Sequence, residues 1–294
     1  MGQIEKNSLS NINGEFSMKI VNCYNCGAQK NSLYAEENGF SLVKCDVCGL
    51  LFVENRPDDS EISQAHKQGK HSGIQEFNMT GTFDGGKIPQ YLHVLRDLFG
   101  GEGLCEGKTW LDIGCGHGEF MVAVQQYSSG KVLIKGTEPN VYKQKSAQKR
   151  GLNVTYFDLE SHEEKYDVIS MLNVYSHLPD PPNFLNSLKN LLKPDGELIL
   201  ETGDTADFPA KDHPRPFYLP DHLSFASEKI VIEILKRLNF EILTVNKYPF
   251  MQINLDRIAR EVIKAILPRR KSRIRHYFKG IPHTDMFIRA TLKT

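Results

Sequence analysis

The chain has 294 residues, enough for two domains or for one large domain with an appendage. Its apolar content of 40% is ordinary for a globular protein, and Lys+Arg and Asp+Glu balance at 36 each, so no global field draws it toward nucleic acid or an anionic surface. No apolar run approaches the ~20 residues of a membrane-spanning helix, and the opening MGQIEKNSLSNINGEF lacks the apolar region of a signal peptide. Lys6 stands where a myristoylation pattern wants Ser or Thr, so a reducing, cytoplasmic setting is expected.

Residues 1–17 read as a flexible polar tail. Residues 18–53 hold the pairs Cys23-x2-Cys26 and Cys45-x2-Cys48 between the short apolar runs MKIVNC, FSLVKC and LLFVEN. Each pair is followed by Gly, in CYNCG and CDVCG. A tight turn lets two thiolates point at one ion, and the glycine relieves strain as the chain turns away. Two such turns complete a closed, tetrahedral four-thiolate site, so a structural zinc is expected; iron in a rubredoxin-like site is the chemical alternative. Within the ribbon, Lys19, Lys30 and Lys44 face Glu36, Glu37 and Asp46. That is no basic nucleic-acid surface, and the ribbon is expected to dock on its neighbour or cover a substrate.

Residues 54–87 are polar and rich in Gly, His, Asp and Ser; they read as a connector or lid with weak local structure. IPQYLHVLRDLFG, residues 88–100, has the apolar spacing of an amphipathic helix. From Lys108 the pattern alternates. KTWLDIG, KVLIKGTE, NVTYFD, YDVISMLNV, GELILET and FEILTVNKY read as strands, and EFMVAVQQY, NVYKQKSAQKR, PPNFLNSLKNLL and SEKIVIEILKRLN as helices. This is an α/β pattern, with a parallel sheet covered on both faces, spanning 88–294. Residues 251–282 interrupt it with an amphipathic helix and PRRKSRIRHYFKG, which holds six Lys/Arg and no acid. A solvated face, peripheral contact with an anionic membrane through 252–279, and phosphate binding are its three readings. MFIRATLK reads as the final strand.

WLDIGCGHGEF is the most informative stretch. A strand runs into Gly114, Gly116 and Gly118, and a helix begins at Glu119. Alternate glycines let the backbone turn sharply and let a ligand lie against bare main chain. Asp112 precedes the turn, Glu138 ends the second strand where an acid can hold ribose hydroxyls, and Asp158 ends the third. Dinucleotide dehydrogenases share such turns, but with Gly-x-Gly-x-x-Gly spacing rather than the Gly-x-Gly-x-Gly found here.

With LDIGCGHGEF, GTEPN, FDLES and YDVISMLNVYSHLPDPPNFLNSLKNLLKPDGELILET in order, the sequence resembles the class I S-adenosylmethionine-dependent methyltransferases. The resemblance implies a Rossmann-like fold with a seven-stranded, mostly parallel sheet in the order 3-2-1-4-5-7-6, here preceded by the zinc ribbon. It implies that Asp112, Gly114, Gly116 and Gly118 cradle the amino-acid part of S-adenosylmethionine. Glu138 would hold the ribose and Asp158 the adenine amino group, with Asn173 beside the methionine end.

NVYSHLPDPP then falls at the carboxyl end of the fourth strand, where open α/β sheets bind ligands. His177 is a candidate base, a loop-holding residue or a substrate-orienting one, and Tyr175 a candidate for orienting or assisting. DHPRPFYLPDHLSF forms a second cluster with His213, Arg215, Tyr218, Asp221 and His222. DHLSFAS resembles part of the EHxxxFS segment of zinc-ribbon C-methyltransferases acting on nucleotide-linked sugars. That likeness implies that His222 contacts substrate or acts near the base; a helix-capping loop is the alternative. Those enzymes carry a further large C-terminal domain, and shorter relatives resemble O-methyltransferases of polysaccharide or lipid-linked sugar pathways. The expected function is methyl transfer to a hydroxyl or carbon of a nucleotide- or lipid-linked sugar, with no DNA partner. An RNA methyltransferase and a non-catalytic cofactor-binding partner protein are the alternatives.

Overall fold

In a computed structural model the described residues are 18–100, 106–159, 161–249 and 283–293, with 262, 263 and 266 of a further helix. The expected tail, and nearly all of the basic insertion, lie outside them.

The chain opens with β1 (Met18–Ile20), β2 (Asn31–Glu37), β3 (Phe40–Cys45), β4 (Leu51–Val53) and β5 (Asn55–Pro57). The connector holds α1 (Asp59–Gln68), β6 (Lys70–His71) and β7 (Phe77–Asn78), and α2 (Ile88–Phe99) follows. Then come β8 (Thr109–Ile113), α3 (Glu119–Tyr127), β9 (Leu133–Thr137), α4 (Val141–Gln148), β10 (Val154–Thr155) and β11 (Tyr166–Leu172). The chain closes with α5 (Pro181–Leu188), β12 (Leu192–Gly203), β13 (Ser224–Phe225), α6 (Glu228–Arg237), β14 (Phe240–Pro249) and β15 (His283–Leu292).

Seven strands form the central sheet in the order β10-β9-β8-β11-β12-β15-β14, which is the expected 3-2-1-4-5-7-6. β8, β9, β10, β11 and β12 run parallel, and β15 runs antiparallel to both its neighbours. β11 pairs Val168 with Trp110 on one side and Glu197 on the other, and its apolar run is buried on both faces as a central parallel strand must be. α6 turns Ile230, Val231, Ile234 and Leu235 inward. Each such side chain contributes roughly 1.5–3 kcal/mol by leaving water.

Two differences from the sequence reading have local causes. The connector is structured: the Asp58 side chain accepts the N–H groups of Ser60 and Glu61 at the start of α1, and Gly69 closes the helix in the left-handed region. Ile62 is the one buried residue of α1, so there was no apolar stripe for periodicity to find. β12 begins four residues ahead of GELILET, because the turn at Lys193–Gly196 is carried within the strand by Asp195 at φ 59°.

The ribbon is joined to the larger domain. β13, from the far side of the chain, pairs with β4 and extends the β4-β3-β2 sheet. Cys23, Val43, Cys45, Leu50 and Phe52 share one buried cluster with Leu185, Ile230 and Ile234. Arg237 donates to the Asn25 backbone oxygen at 2.9 Å and to its Oδ1 at 2.8 Å.

Candidate active site

Between β8 and α3 the chain turns through Gly114, Gly116 and Gly118, all in the left-handed region at φ 65°, 58° and 92°. A Cβ on Gly114 would lie 2.4 Å from Val174, and one on Gly118 2.2 Å from Leu152. A Cβ on Gly116 would meet nothing within 4 Å. The positive φ calls for glycine at all three positions; Gly118 backs onto Leu152, and Gly114 and Gly116 line open space.

That space is a cavity of about 710 Å³ at the carboxyl ends of β8, β9 and β11. Asp112, Gly114, Gly116, Glu138, Asp158 and Asn173 all line it. The Glu138 carboxylate is fixed by the backbone N–H groups of Gly116 and Asn140, each at 2.9 Å, and each oxygen keeps a lone pair for a further donor. Asp112 accepts the Ser170 hydroxyl at 2.6 Å, and Ser170 in turn accepts the Trp110 indole N–H at 2.8 Å. Burial pushes Asp112 up to about 7, aided by the nearby Glu138 and Glu119 charges and opposed by the Ser170 hydrogen bond. Asn173 sits at φ 55°, a conformation that Asn tolerates better than most residues. The bare turn, the anchored acid and the volume fit a cofactor the size of S-adenosylmethionine.

Sequence reasoning expected a connector or lid over 54–87 but named none of the residues that cover this cradle. His117 Nε2 lies 2.8 Å from the Thr80 carbonyl, and Glu119 accepts the Asp84 N–H at 2.8 Å. Met79, Thr80, Gly81 and Lys87 of the connector line the cavity. Glu119, first in the helix after the turn, could have been singled out by that position; the connector residues carry no motif.

Four histidines around Asp221 line the same cavity. His177 Nδ1 lies 2.8 Å from the Asp221 backbone oxygen and 3.2 Å from its Oδ1. His71 Nε2 lies 2.9 Å from the same Oδ1. The His177 and His222 rings are 4.7 Å apart, and the His66 ring is 6.0 Å from that of His177. Burial and neighbouring imidazoles pull His66 down to about 3 and His222 to about 4. Burial also opposes the charge on His177, but Asp221 outweighs it and raises that imidazole. Asp221, though buried, is held well below the carboxylate range by His177 and His71. His222 Nδ1 bonds the Phe217 carbonyl at 2.9 Å, leaving Nε2 as its free ring nitrogen.

Tyr175 does not reach this wall. One turn of 3₁₀ helix, Tyr175–His177, sends the two side chains apart: His177 to the cavity and Tyr175 into the core at 1% exposure. The Tyr24 hydroxyl of the ribbon lies 3.4 Å from that of Tyr175 and 3.1 Å from Ser224 Oγ. Tyr175 thus belongs to the ribbon seam, where burial holds its hydroxyl well above the usual phenol range, rather than to the expected place beside the acceptor. His213 is also buried away from the cavity, among Tyr34, Phe217 and Phe225, with Nδ1 on the Pro214 carbonyl at 3.0 Å.

The ribbon holds the loop that carries Asp221 and His222. Glu37, at the end of β2, accepts the N–H groups of Phe217 at 2.9 Å and Leu219 at 3.2 Å. The Asn38 amide donates to the Leu219 carbonyl at 3.1 Å. Leu223 donates to the Ser176 carbonyl at 2.7 Å and accepts from Val53 N–H at 2.9 Å, linking the loop to both β4 and the His177 turn.

The four ribbon thiols converge. Cys23 and Cys48 Sγ are 3.5 Å apart, as are Cys26 and Cys45, and all four lie within 4.8 Å of one another. Sulfurs at ~2.3 Å from a common ion would show about this spacing. Gly27 and Gly49 follow the pairs in the left-handed region, and their N–H groups bond the carbonyls of Cys23 and Cys45. The donor set fits a closed structural zinc site.

A family model described as a methyltransferase domain matches residues 85–245. Among curated proteins, the ubiquinone biosynthesis O-methyltransferase of Actinobacillus pleuropneumoniae is 36% identical over 107 residues, covering 33% of this chain and 46% of the relative. The protein of the same name from Photorhabdus laumondii is 33% identical over 103 residues, covering 33% and 43%. The chain thus spans less than half the length of these relatives. Among solved structures, coclaurine N-methyltransferase bound to N-methylheliamine and SAH superposes with a TM-score of 0.52 at 13% identity, covering 69% of this chain and 72% of that one. With over half its length matched by the family model, and with the sheet order and glycine cradle above, this chain belongs to the methyltransferase-domain family, the S-adenosylmethionine-dependent class.

Proposed function

We propose that this protein transfers the methyl group of S-adenosylmethionine to a hydroxyl of a small polar acceptor, a sugar linked to a nucleotide or lipid. The observation that carries the reading is the histidine wall that lines the same cavity as the glycine turn. Cofactor alone would not need that wall; an acceptor that must lose a proton would. Ser63, Asp180, Asn183 and Ser187 on the same lining suit a polyhydroxylated acceptor better than a plain aromatic one. The name of the ubiquinone relatives agrees with oxygen as the methylated atom.

In the cradle, S-adenosylmethionine supplies an electrophilic methyl group. Asp112 and the turn would hold its amino-acid end, Glu138 its ribose and Asp158 its adenine, with Asn173 on the side of its methionine end. Asp221 fixes His177 through Nδ1, so its Nε2 is the ring atom available to an acceptor hydroxyl. As the new carbon–oxygen bond forms and the sulfur–carbon bond breaks, the hydroxyl proton passes to His177 and then to solvent. Positioning gives most of the rate and the base a further factor of roughly 10²–10⁴. His222 lies beside this base and orients the acceptor.

The test is radiolabelled methyl transfer into fractionated host extract, with wild type beside His177→Ala. Label in a nucleotide-sugar or glycolipid fraction, lost in the variant, is the expected result. Label in RNA would overturn the acceptor class, and equal labelling by both proteins would remove His177 from the chemistry.

A further inference from the structure

We propose that His66, His71 and Asp221 form a second metal site, distinct from the four thiolates, which takes a divalent first-row transition ion of the zinc class at the wall of the cavity. One ligand atom from each of the three lies within 4.8 Å of the others, the same convergence the ribbon cysteines show. Two imidazoles and one carboxylate form a donor set suited to zinc, iron or cobalt rather than to magnesium or calcium. His71 Nε2 and Asp221 Oδ1 are 2.9 Å apart. This is a hydrogen-bond length, and it is also close to the spacing of two ligands each about 2.0 Å from one ion.

A carboxylate between two imidazoles can satisfy itself without metal, and the decisive observation lies outside that pair. His66 Nε2 is buried and has no hydrogen-bond partner. Its ring stands 5.3 Å from that of His71. An unsatisfied buried nitrogen is costly, and a coordinated ion would remove that cost. The three ligands also come from separate places: His66 from the last turn of α1, His71 from β6, and Asp221 from the loop after β12. An ion there ties the connector to the loop that carries His222, and so fixes the wall of the cavity. Binding replaces the His71–Asp221 hydrogen bond, whose proton moves to the other ring nitrogen or to solvent, with no redox step and no co-reactant.

The experiment uses untagged full-length protein, dialysed against zinc or cobalt and then against metal-free buffer, with metal counted by elemental mass spectrometry. Wild type is expected to keep one metal equivalent beyond that held by the thiolates. His66→Gln and His71→Asn are each expected to lose that equivalent and keep the thiolate one. In cobalt-loaded wild type, visible bands of a nitrogen–oxygen site should appear beside thiolate charge transfer, and this readout needs no variant to fold. A spectrum of thiolate ligation alone would overturn the proposal. So would an extra ion retained by His66→Gln, or one seen only at millimolar metal. The metal count and the cobalt spectrum need neither acceptor nor cofactor, so their failure leaves the functional reading standing, and a failed methyl-transfer assay leaves the metal count standing.

Discussion

Asp112 is the residue whose environment makes the sharpest demand on the cofactor. Buried and tied to Ser170, its carboxyl is pushed up to about 7, so the charged form is disfavoured in the free protein near neutral pH. An ammonium group arriving beside it favours the carboxylate, so binding should release a proton. The sign follows: S-adenosylmethionine affinity should rise as pH increases from about 6 to 8, by up to roughly tenfold per unit on the acid side, and level off once Asp112 is ionised. Asp112→Asn should bind more weakly and lose that slope. Calorimetric titrations across the range give both quantities. A flat wild-type profile would mean that the ammonium is held elsewhere. Asp112 was visible in the sequence because it sits two residues from the glycine turn on the same strand, where local order fixes geometry. The Ser170 hydroxyl that steadies it comes from a strand 58 residues away, and no motif announced it.

At the scale of elements, the contact between β2 and the loop after β12 gives the ribbon a part in the site. Glu37 accepts two backbone N–H groups within five residues of His222. Hydrogen bonds to a charged acceptor contribute about 1.5–3 kcal/mol each, more than a short loop can lose without moving. Glu37→Ala should therefore shift Asp221 and His222 while leaving the glycine turn untouched. The expected outcome is a fall in kcat/KM for the acceptor of about tenfold to a hundredfold, with the dissociation constant for S-adenosylmethionine unchanged. Equal losses in both would show that Glu37 supports the whole domain instead. The existence of the ribbon was legible from cysteine spacing, because two turns and an ion are nearly independent of context. Docking on its neighbour was among the expectations, but the strand pairing that achieves it was not legible, because β13 is only two residues long and carries no strand pattern. Tyr175 misled for a related reason: in a single 3₁₀ turn, neighbours point to different sides, and sequence alone gives no phase.

For the molecule as a whole, the cofactor half could be read from sequence and the acceptor half largely could not. The glycine turn, Glu138 and Asp158 follow their strands at fixed offsets. The histidine wall is assembled from α1, β6, the turn after β11 and the loop after β12, and long-range assembly leaves no local signature. The same long-range packing predicts how the protein would fail if a metal held by the four thiolates were removed. Cys23 and Cys45 lie in one buried cluster with Ile230 and Ile234 of α6 and Leu185 of α5. A free ribbon would melt alone and leave the methyltransferase fold intact, because a separate module has its own cooperative transition. A shared core does not allow that. Stripping zinc with a chelator, or substituting Cys26→Ser at the exposed edge of the cluster, should lower a single melting transition rather than split it. Structural zinc is worth about 10–16 kcal/mol in isolated fingers. If even ~4 kcal/mol of that reaches the whole fold, Tm should drop by roughly 6–7 °C for a chain of 294 residues. Scanning calorimetry distinguishes the cases directly. Two resolved transitions, the upper one unmoved and still responsive to S-adenosylmethionine, would show that the ribbon unfolds on its own and that the shared cluster does not couple the two parts.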